Sequence, residues 1–498
     1  MTPFPLAAAI QRLAAHGLVV AVAGDPVHVA VTGIAQDSRA VGPGTLFVAV
    51  RGTVVDGHRF AGKALAQGAA AVVVEEDAAR YAIGGAVAVQ VTNSRAALAE
   101  LAAFAFGDPS ERLALCGVTG TNGKTTSTFL LHHVFQTVTG KPAGLIGTIE
   151  TRVGDERQTA THTTPEPLAL QRLFRRMVDA GCAYAAMEVS SHALAQDRTR
   201  ATRFACGLFT NLTRDHLDYH ETFEAYEDAK RLLFDGLDEA AAAVYNADDP
   251  AGARMVARTK ARRVSFGQNE GADVRFRIDE NALTGLVMTL GGRTQRYRLV
   301  GGFNAYNLAG AFAAATAMGL DAAAVLDALA AAAPVPGRFE QFVDAQGRVV
   351  VVDYAHTPDA LDNVLAAMRA TMPASARLWA VFGCGGDRDQ GKRPEMAAVV
   401  ERGADRVIVT SDNPRTEDPE AILADIRAGF ASPDAVDFVV DRRAAIAHAA
   451  AHAAPGDAVL VAGKGHEPYQ IIGTETLHFD DREEVQALFS ARPPASFV

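Results

Sequence analysis

Between residues 113 and 138 the chain passes from an apolar, strand-like run through Thr119-Gly-Thr-Asn-Gly-Lys-Thr-Thr126 directly into a helix-forming segment. This order of strand, glycine turn, lysine and helix constrains the fold more than any other feature. The turn must leave a buried strand and open a helix, because only then do its N–H groups and the positive helix end face one anion. Lys124 offers a point charge, and the Thr125 hydroxyl can reach a magnesium ion. The spacing departs from GxxxxGK[ST]: Val118 stands at the first glycine position, with glycine at 117 and 120 instead. Gly120, Thr121, Asn122, Gly123, Lys124, Thr125 and Thr126 therefore read as a phosphate loop, with ATP as the expected ligand.

The flanking chain is consistent with one such sheet and then a second. Apolar runs at 113–118, 143–149, 184–189, 204–208 and 242–245 alternate with helical segments, as strands of a parallel sheet joined by crossover helices do. The pattern restarts after Ala333-Pro-Val-Pro-Gly337, at 349–353, 378–382, 406–410, 438–440 and 458–462. An earlier segment with strand-like runs at 45–50 and 69–74 ends at the linker-like Phe106-Gly-Asp-Pro-Ser110. The expectation is an α/β protein of three domains, 1–106, 107–335 and 336–498, as a chain of 498 residues at roughly 150 per domain suggests.

Composition narrows the function classes. With 49% hydrophobic and 21% charged residues the chain is unlike disordered sequences, and a formal charge of −11 argues against sequence-independent binding to nucleic acid. Its longest apolar stretch, 308–320, falls short of the roughly 18 residues that a membrane span needs. Residues 1–20 carry no basic n-region and read as an amphipathic helix, so a cytoplasmic protein is expected. Cys116, Cys182, Cys206 and Cys384 are scattered without a CxxC pair, which disfavours disulfides and a thiolate zinc site.

Open α/β sheets bind ligands beyond the carboxyl ends of their strands. The run 184–189 ends in Glu188-Val-Ser-Ser-His192, and the next leads into Asp215-His-Leu-Asp-Tyr-His220. Glu188 and His216 are candidate magnesium ligands, although either alone reads equally as an ordinary paired or surface residue. Lys230 lies in a helical run, 221–234, with an apolar stripe of Phe223, Tyr226, Leu233 and Phe234. By spacing it reads as a solvated lysine, and an ammonium could not ligate a cation. Three later loops follow strands and should share one sheet edge: Gly383-Cys-Gly-Gly-Asp-Arg-Asp389, Ser411-Asp-Asn-Pro-Arg-Thr-Glu417 and Gly463-Lys-Gly-His-Glu467. Arg388 and Arg415 beside Asp412 and Glu467 suit a small zwitterion, guanidinium to carboxylate and carboxylate to ammonium. Taken alone, Asp412-Asn-Pro-Arg415 also reads as a capped proline turn.

Together these motifs, with Asp37-Ser-Arg39, Gly302-Phe-Asn-Ala-Tyr-Asn307 and Gly337-Arg-Phe-Glu340, make the chain resemble the Mur ligase family of bacterial peptidoglycan synthesis over all three segments. The resemblance implies an N-terminal α/β domain for a uridine nucleotide, a central P-loop parallel-sheet domain for ATP and Mg2+, and a Rossmann-like α/β C-terminal domain for the incoming amino acid. It implies an ATP-dependent amide ligase that activates the D-glutamyl carboxylate of UDP-N-acetylmuramoyl-L-alanyl-D-glutamate as an acyl phosphate. The amine that attacks it would be that of meso-diaminopimelate. By the same resemblance Lys124, Glu188, His216 and Lys230 are catalytic, with Lys230 carbamylated and joining Thr125, Glu188 and His216 around the metal. Asn304, Asn307 and Arg338 would meet the nucleotide. Gln36, Ser38, Thr53, His162, Thr163, Thr164, Ser190, Gln196 and Arg198 would hold the UDP-muramoyl peptide. Arg388, Asp412, Asn413, Pro414, Arg415, Gly463 and Glu467 would select diaminopimelate, and a monomer is expected. A folate-polyglutamate or neighbouring ligase, and a nucleotide-binding switch that makes no bond, are the rival readings.

Overall fold

In the computed structural model, residues 2–52, 55–82, 85–343 and 347–490 are described, and their strands form three main sheets. The central sheet runs Glu156–Thr159, Glu150–Val153, Ala143–Ile146, Tyr184–Glu188, Ala114–Thr119, Cys206–Phe209, Ala242–Asn246, Arg262–Gly267, Val274–Ala282, Gly285–Leu290 and Arg293–Tyr297. Its middle, from Ala143–Ile146 to Val274–Ala282, is parallel. The five strands from Ala143–Ile146 to Ala242–Asn246 are short apolar runs buried on both faces. Helices Lys124–Thr139 and Gly302–Ala317 bury Leu131, Phe135, Leu308 and Phe312 on one side. On the other, Pro167–Asp179 and Phe223–Asp235 bury Phe174, Met177, Tyr226 and Phe234. The strand order reverses around Ala114–Thr119, which lies between Tyr184–Glu188 and Cys206–Phe209. The phosphate loop therefore leaves the sheet at its switch point, where a crevice opens.

Both edges of this sheet are antiparallel, and here the structure adds what the sequence reading left out. Val274–Ala282, Gly285–Leu290 and Arg293–Tyr297 form a meander, and Glu150–Val153 with Glu156–Thr159 forms a hairpin. Val274–Ala282 and Glu150–Val153 alternate exposed polar with more buried positions because one face meets solvent, and Glu156–Thr159 and Arg293–Tyr297 are polar almost throughout, whereas Gly285–Leu290 is itself a buried apolar run.

The N-terminal sheet runs Val19–Ala23, Val87–Val91, Ala71–Val74, Thr45–Val48 and Gly33–Ala35. The helix expected over residues 1–20 is shorter, Leu6–Ala15. It buries Leu6, Ala9 and Leu13, and the chain then turns at Gly17 (φ +66°) into the edge strand Val19–Ala23. The C-terminal sheet runs Glu340–Val343, Val349–Asp353, Ala458–Ala462, Leu378–Phe382, Arg406–Val409 and Asp437–Phe438, parallel except at its first pair.

Polar contacts join the three layers. Glu100, 2% exposed, receives Arg12 at 3.0 Å, Arg200 at 3.3 Å and His16 at 3.3 Å, tying the N-terminal layer to the central one. Asp359, in helix Pro358–Thr371, accepts Asn122 Nδ2 at 2.8 Å and Thr213 Oγ1 at 3.2 Å from the phosphate-loop side. Arg214 pairs with Glu395 at 2.7 Å. Among the described residues, no helix is long and apolar enough to cross a membrane.

Candidate functional site

A cleft of about 600 Å³ lies between the phosphate loop and the C-terminal sheet. Its floor is the loop itself. Gly120 (φ +148°) and Gly123 (φ +85°) adopt backbone conformations that favour glycine, and a Cβ on either would collide with Thr210 Oγ1 or Asn307 Oδ1. Helix Lys124–Thr139 starts at once, so its N-terminal N–H groups face the cleft. Lys124 Nζ donates to Gly120 O at 2.9 Å and Thr121 O at 2.8 Å. Burial lowers its pKa, with Glu188 and Asp215 opposing that shift.

Beside the loop, Glu188 is 1% exposed. Its carboxylate accepts Thr125 Oγ1 at 3.1 Å, Thr148 N at 2.8 Å and Thr148 Oγ1 at 3.0 Å. A carboxylate and a threonine hydroxyl in contact are the oxygen donors a hard divalent cation takes. His216 lines the same cleft in the left-handed conformation (φ +55°), and burial holds its pKa down to about 3, which leaves a neutral imidazole with a lone pair to donate. Among the described residues no three carboxylate, imidazole or thiolate groups converge on one point. A metal here would need further oxygens from its ligands or from a modified side chain.

For Lys230 the structure overturns the reading as a solvated lysine. It is 1% exposed, donates to Gly120 O at 2.9 Å and sits 4.3 Å from the centre of the Tyr226 ring. Burial first, and then the charge of Lys124, drive its pKa well down. That shift favours the neutral form of the amine, which is the nucleophilic one. Of the stripe expected on this helix, Tyr226, Leu233 and Phe234 are buried, whereas Phe223 is 37% exposed because it stands at the first helical position, beyond the packed face.

The remaining expected residues divide by location. Asn307 and Arg338 line the cleft, while Asn304 lies behind Asn307 and bonds to it at 3.0 Å. Thr163 and Ser190 also line it. Thr164 is buried, with its hydroxyl donating to Glu188 O at 2.8 Å and accepting from Ser190 N at 3.1 Å. Arg198 binds Thr164 O at 3.0 Å and Gln196 Oε1 at 2.7 Å, and Gln196 donates to Tyr219 at 3.0 Å. His162 is exposed, and Gln36 and Ser38 lie in the N-terminal layer, where Gln36 Oε1 is buried without a partner among the described residues. Thr53 lies outside the described residues.

The three C-terminal loops do gather on one sheet edge. Asn413 donates to Glu467 at 2.9 Å, and Gly463 (φ +116°) packs so close to Asp412 that a Cβ there would meet its carboxylate. Arg415 and Arg388 flank Gly385, and Pro414 O packs against Gly386. Arg415 donates to Gly386 O at 2.8 Å, and no carboxylate among the described residues pairs with it. Burial and the neighbouring Asp412 raise the pKa of Glu467.

The sequence reading missed two groups. Lys464, fully buried, donates to Asn413 Oδ1 at 3.2 Å and lies 3.6 Å from Glu467. The segment Asp353-Tyr-Ala-His356, followed by Asp359, forms the cleft wall opposite the phosphate loop. It also follows a buried strand, Val349–Asp353, so the signal used for the other loops was present there as well.

Comparison with known proteins adds three family matches: the Mur ligase middle domain at residues 118–315, the Mur ligase glutamate ligase domain at 337–465, and the Mur ligase family catalytic domain at 30–106. The chain is 45% identical to the UDP-N-acetylmuramoyl-L-alanyl-D-glutamate–2,6-diaminopimelate ligase of Parabacteroides distasonis, over 93% of this chain and 96% of that one. Its identity to the ligase of the same name from Chlorobaculum tepidum is 47%, over 94% of each. A solved structure of a ligase with this name superposes with a TM-score of 0.67 at 34% identity, covering 95% of this chain and 97% of that one.

Proposed function

The chain belongs to the Mur ligase family, and from that premise we propose that it joins meso-diaminopimelate to UDP-N-acetylmuramoyl-L-alanyl-D-glutamate at the expense of ATP. The observation that carries the reading is the juxtaposition of a phosphate-loop cleft with a C-terminal cluster whose Arg415 lacks a carboxylate partner among the described residues. Diaminopimelate brings a second carboxylate that lysine does not have, and a guanidinium fork matches it.

A carboxylate is too poor an electrophile for an amine, so activation must precede bond formation. A D-glutamyl carboxylate oxygen attacks the γ-phosphorus, ADP leaves, and an acyl phosphate forms. The diaminopimelate amine then adds to its carbonyl carbon, loses a proton and expels phosphate. Loop amides and Lys124 bind the phosphates, and Lys124 moves from its own loop carbonyls onto them. Thr125, Glu188, His216 and Lys230 would hold magnesium, which would neutralise charge between the converging anions. For this the Lys230 amine, whose neutral form burial favours, would add to carbon dioxide and release a proton, becoming a carbamate that offers an oxygen ligand.

In this reading Asn307 and Arg338, with Asn304 behind them, serve the nucleotide. Gln36, Ser38, His162, Thr163, Thr164, Ser190, Gln196 and Arg198 serve the UDP-muramoyl peptide. Arg388, Asp412, Asn413, Pro414, Arg415, Gly463 and Glu467 serve the amino acid. The layers at 1–106, 107–335 and 336–498 divide the three substrates, and the protein works as a cytoplasmic monomer. The test is incubation with ATP, the UDP-dipeptide and a mixture of diaminopimelate and lysine. The expected result is stoichiometric phosphate release and a product mass corresponding to diaminopimelate addition. Nucleotide binding without phosphate release would instead favour a switch.

A further inference from the structure

We propose that Tyr354 is a positioning residue that couples the nucleotide cleft to the amino-acid cluster, an inference that rests on the reading above. Tyr354 lies at the end of strand Val349–Asp353, where the Asp353 carboxylate accepts Phe339 N and Ala355 N, each at 2.7 Å, and so fixes the backbone on both sides. The side chain has two functional ends. Its hydroxyl donates to Glu467 Oε1 at 3.3 Å, and the other oxygen of that carboxylate accepts from Asn413 at 2.9 Å. The face of its ring lies 4.3 Å from the Arg338 guanidinium, and Arg338 Nη2 donates to Thr125 Oγ1 of the phosphate loop at 3.2 Å.

An unbroken line of contacts thus runs from Thr125 through Arg338 and Tyr354 to Glu467. Tyr354 is the link in it that touches both substrate sites. A triphosphate on the loop competes for the donors of Arg338 and Thr125, so the guanidinium settles differently over the ring when nucleotide is bound. Because the hydroxyl orients Glu467, which would receive the ammonium of diaminopimelate, nucleotide binding changes the affinity for the amino acid. By linkage the amino acid changes the affinity for nucleotide by the same factor.

Two substitutions separate the two ends. Tyr354→Phe keeps the ring and removes the hydroxyl. It is expected to raise KM for diaminopimelate by about tenfold or more, the cost of one hydrogen bond to a charged group, with the affinity for an ATP analogue in the absence of amino acid unchanged. Tyr354→Leu removes the ring face. With the UDP-dipeptide saturating, calorimetric titration of diaminopimelate should show tighter binding to the native chain when a non-hydrolysable ATP analogue is present, and this enhancement should disappear in Tyr354→Leu. Adding Tyr354→Phe to Glu467→Ala should have no further effect, since the acceptor is already gone. Unchanged diaminopimelate KM in Tyr354→Phe, or full nucleotide enhancement in Tyr354→Leu, overturns the inference. A native chain that makes no product from diaminopimelate overturns the substrate reading and this inference together, whereas an active native chain with a silent Tyr354→Phe overturns only the role of Tyr354.

Discussion

Arg415 adopts the left-handed conformation (φ +53°), which costs a non-glycine residue energy unless its surroundings impose it. Here the hairpin of Tyr469–Ile472 and Glu475–His478 does so: Arg415 N donates to Ile471 O at 3.0 Å, and Gly473 N donates to Arg415 O at 2.6 Å. The guanidinium is thereby held in place before any substrate arrives. Arg415→Ala is expected to lose discrimination of diaminopimelate over lysine by about a hundredfold, the scale on which an unpaired charged partner rejects a substrate, while ATP binding persists. Product masses from a competition between the two amino acids measure this, and an unchanged ratio would contradict it. A second residue-scale consequence concerns stability. His132 is buried with Nε2 unpartnered among the described residues, and burial, then Arg152, lower its pKa from 6.5 to about 4. Its folded-state pKa lies below the unfolded value, so its contribution is complete above pH 6.5 and fades as pH falls towards 4. His132→Leu should therefore lose about 3 kcal/mol less stability than the native chain between pH 7 and 4. Parallel urea titrations of the two proteins across that range would refute this by giving the same slope.

The element that matters most is the phosphate loop, and its glycines mark where a side chain cannot be tolerated. Gly120→Ala would drive a Cβ into Thr210 Oγ1 and towards Asn211 O, 3.0 Å away, from a conformation that favours glycine. The loop, rather than the buried sheet, should yield. Affinity for an ATP analogue is expected to fall by more than about tenfold, with the circular dichroism of the sheet retained. Retained affinity would mean that the loop does not contact the phosphates through this turn. The loop was legible in sequence because glycine, lysine and hydroxyl occur in order between an apolar run and a helix. Val274–Ala282 and Arg293–Tyr297 were not, because the first has one wet face and alternates polar with apolar residues and the second is polar almost throughout, so both resemble loops when continuous apolar runs are sought. The segment Asp353-Tyr-Ala-His356 was overlooked for another reason: its residue types form no familiar constellation until the fold sets them across from Lys124.

At the scale of the whole molecule, the three layers meet through few polar anchors. Glu100 is the main one on the N-terminal side, a nearly buried carboxylate shared by Arg12, Arg200 and His16. Its partners are partly exposed, so Glu100→Gln should cost only about 1–2 kcal/mol, a charge-assisted contact rather than a stranded buried ion. Limited proteolysis should then cut faster near residues 107–110, and an unchanged cleavage rate would show that other contacts hold the layers. Sequence by itself determined what depends on neighbours along the chain: the phosphate loop, the buried parallel strands, the three α/β segments and the loops that carry Glu188, Asp412 and Glu467. Hydrogen-bonded turns, helix starts and apolar periodicity are local, so they are written in local residue order. Tertiary structure alone decided the state of Lys230, the lack of a carboxylate partner for Arg415 among the described residues and the contacts of Tyr354 with both Arg338 and Glu467. Burial and through-space contact set those properties, and both arise from chain segments as far apart as residues 120 and 467, which no local pattern relates.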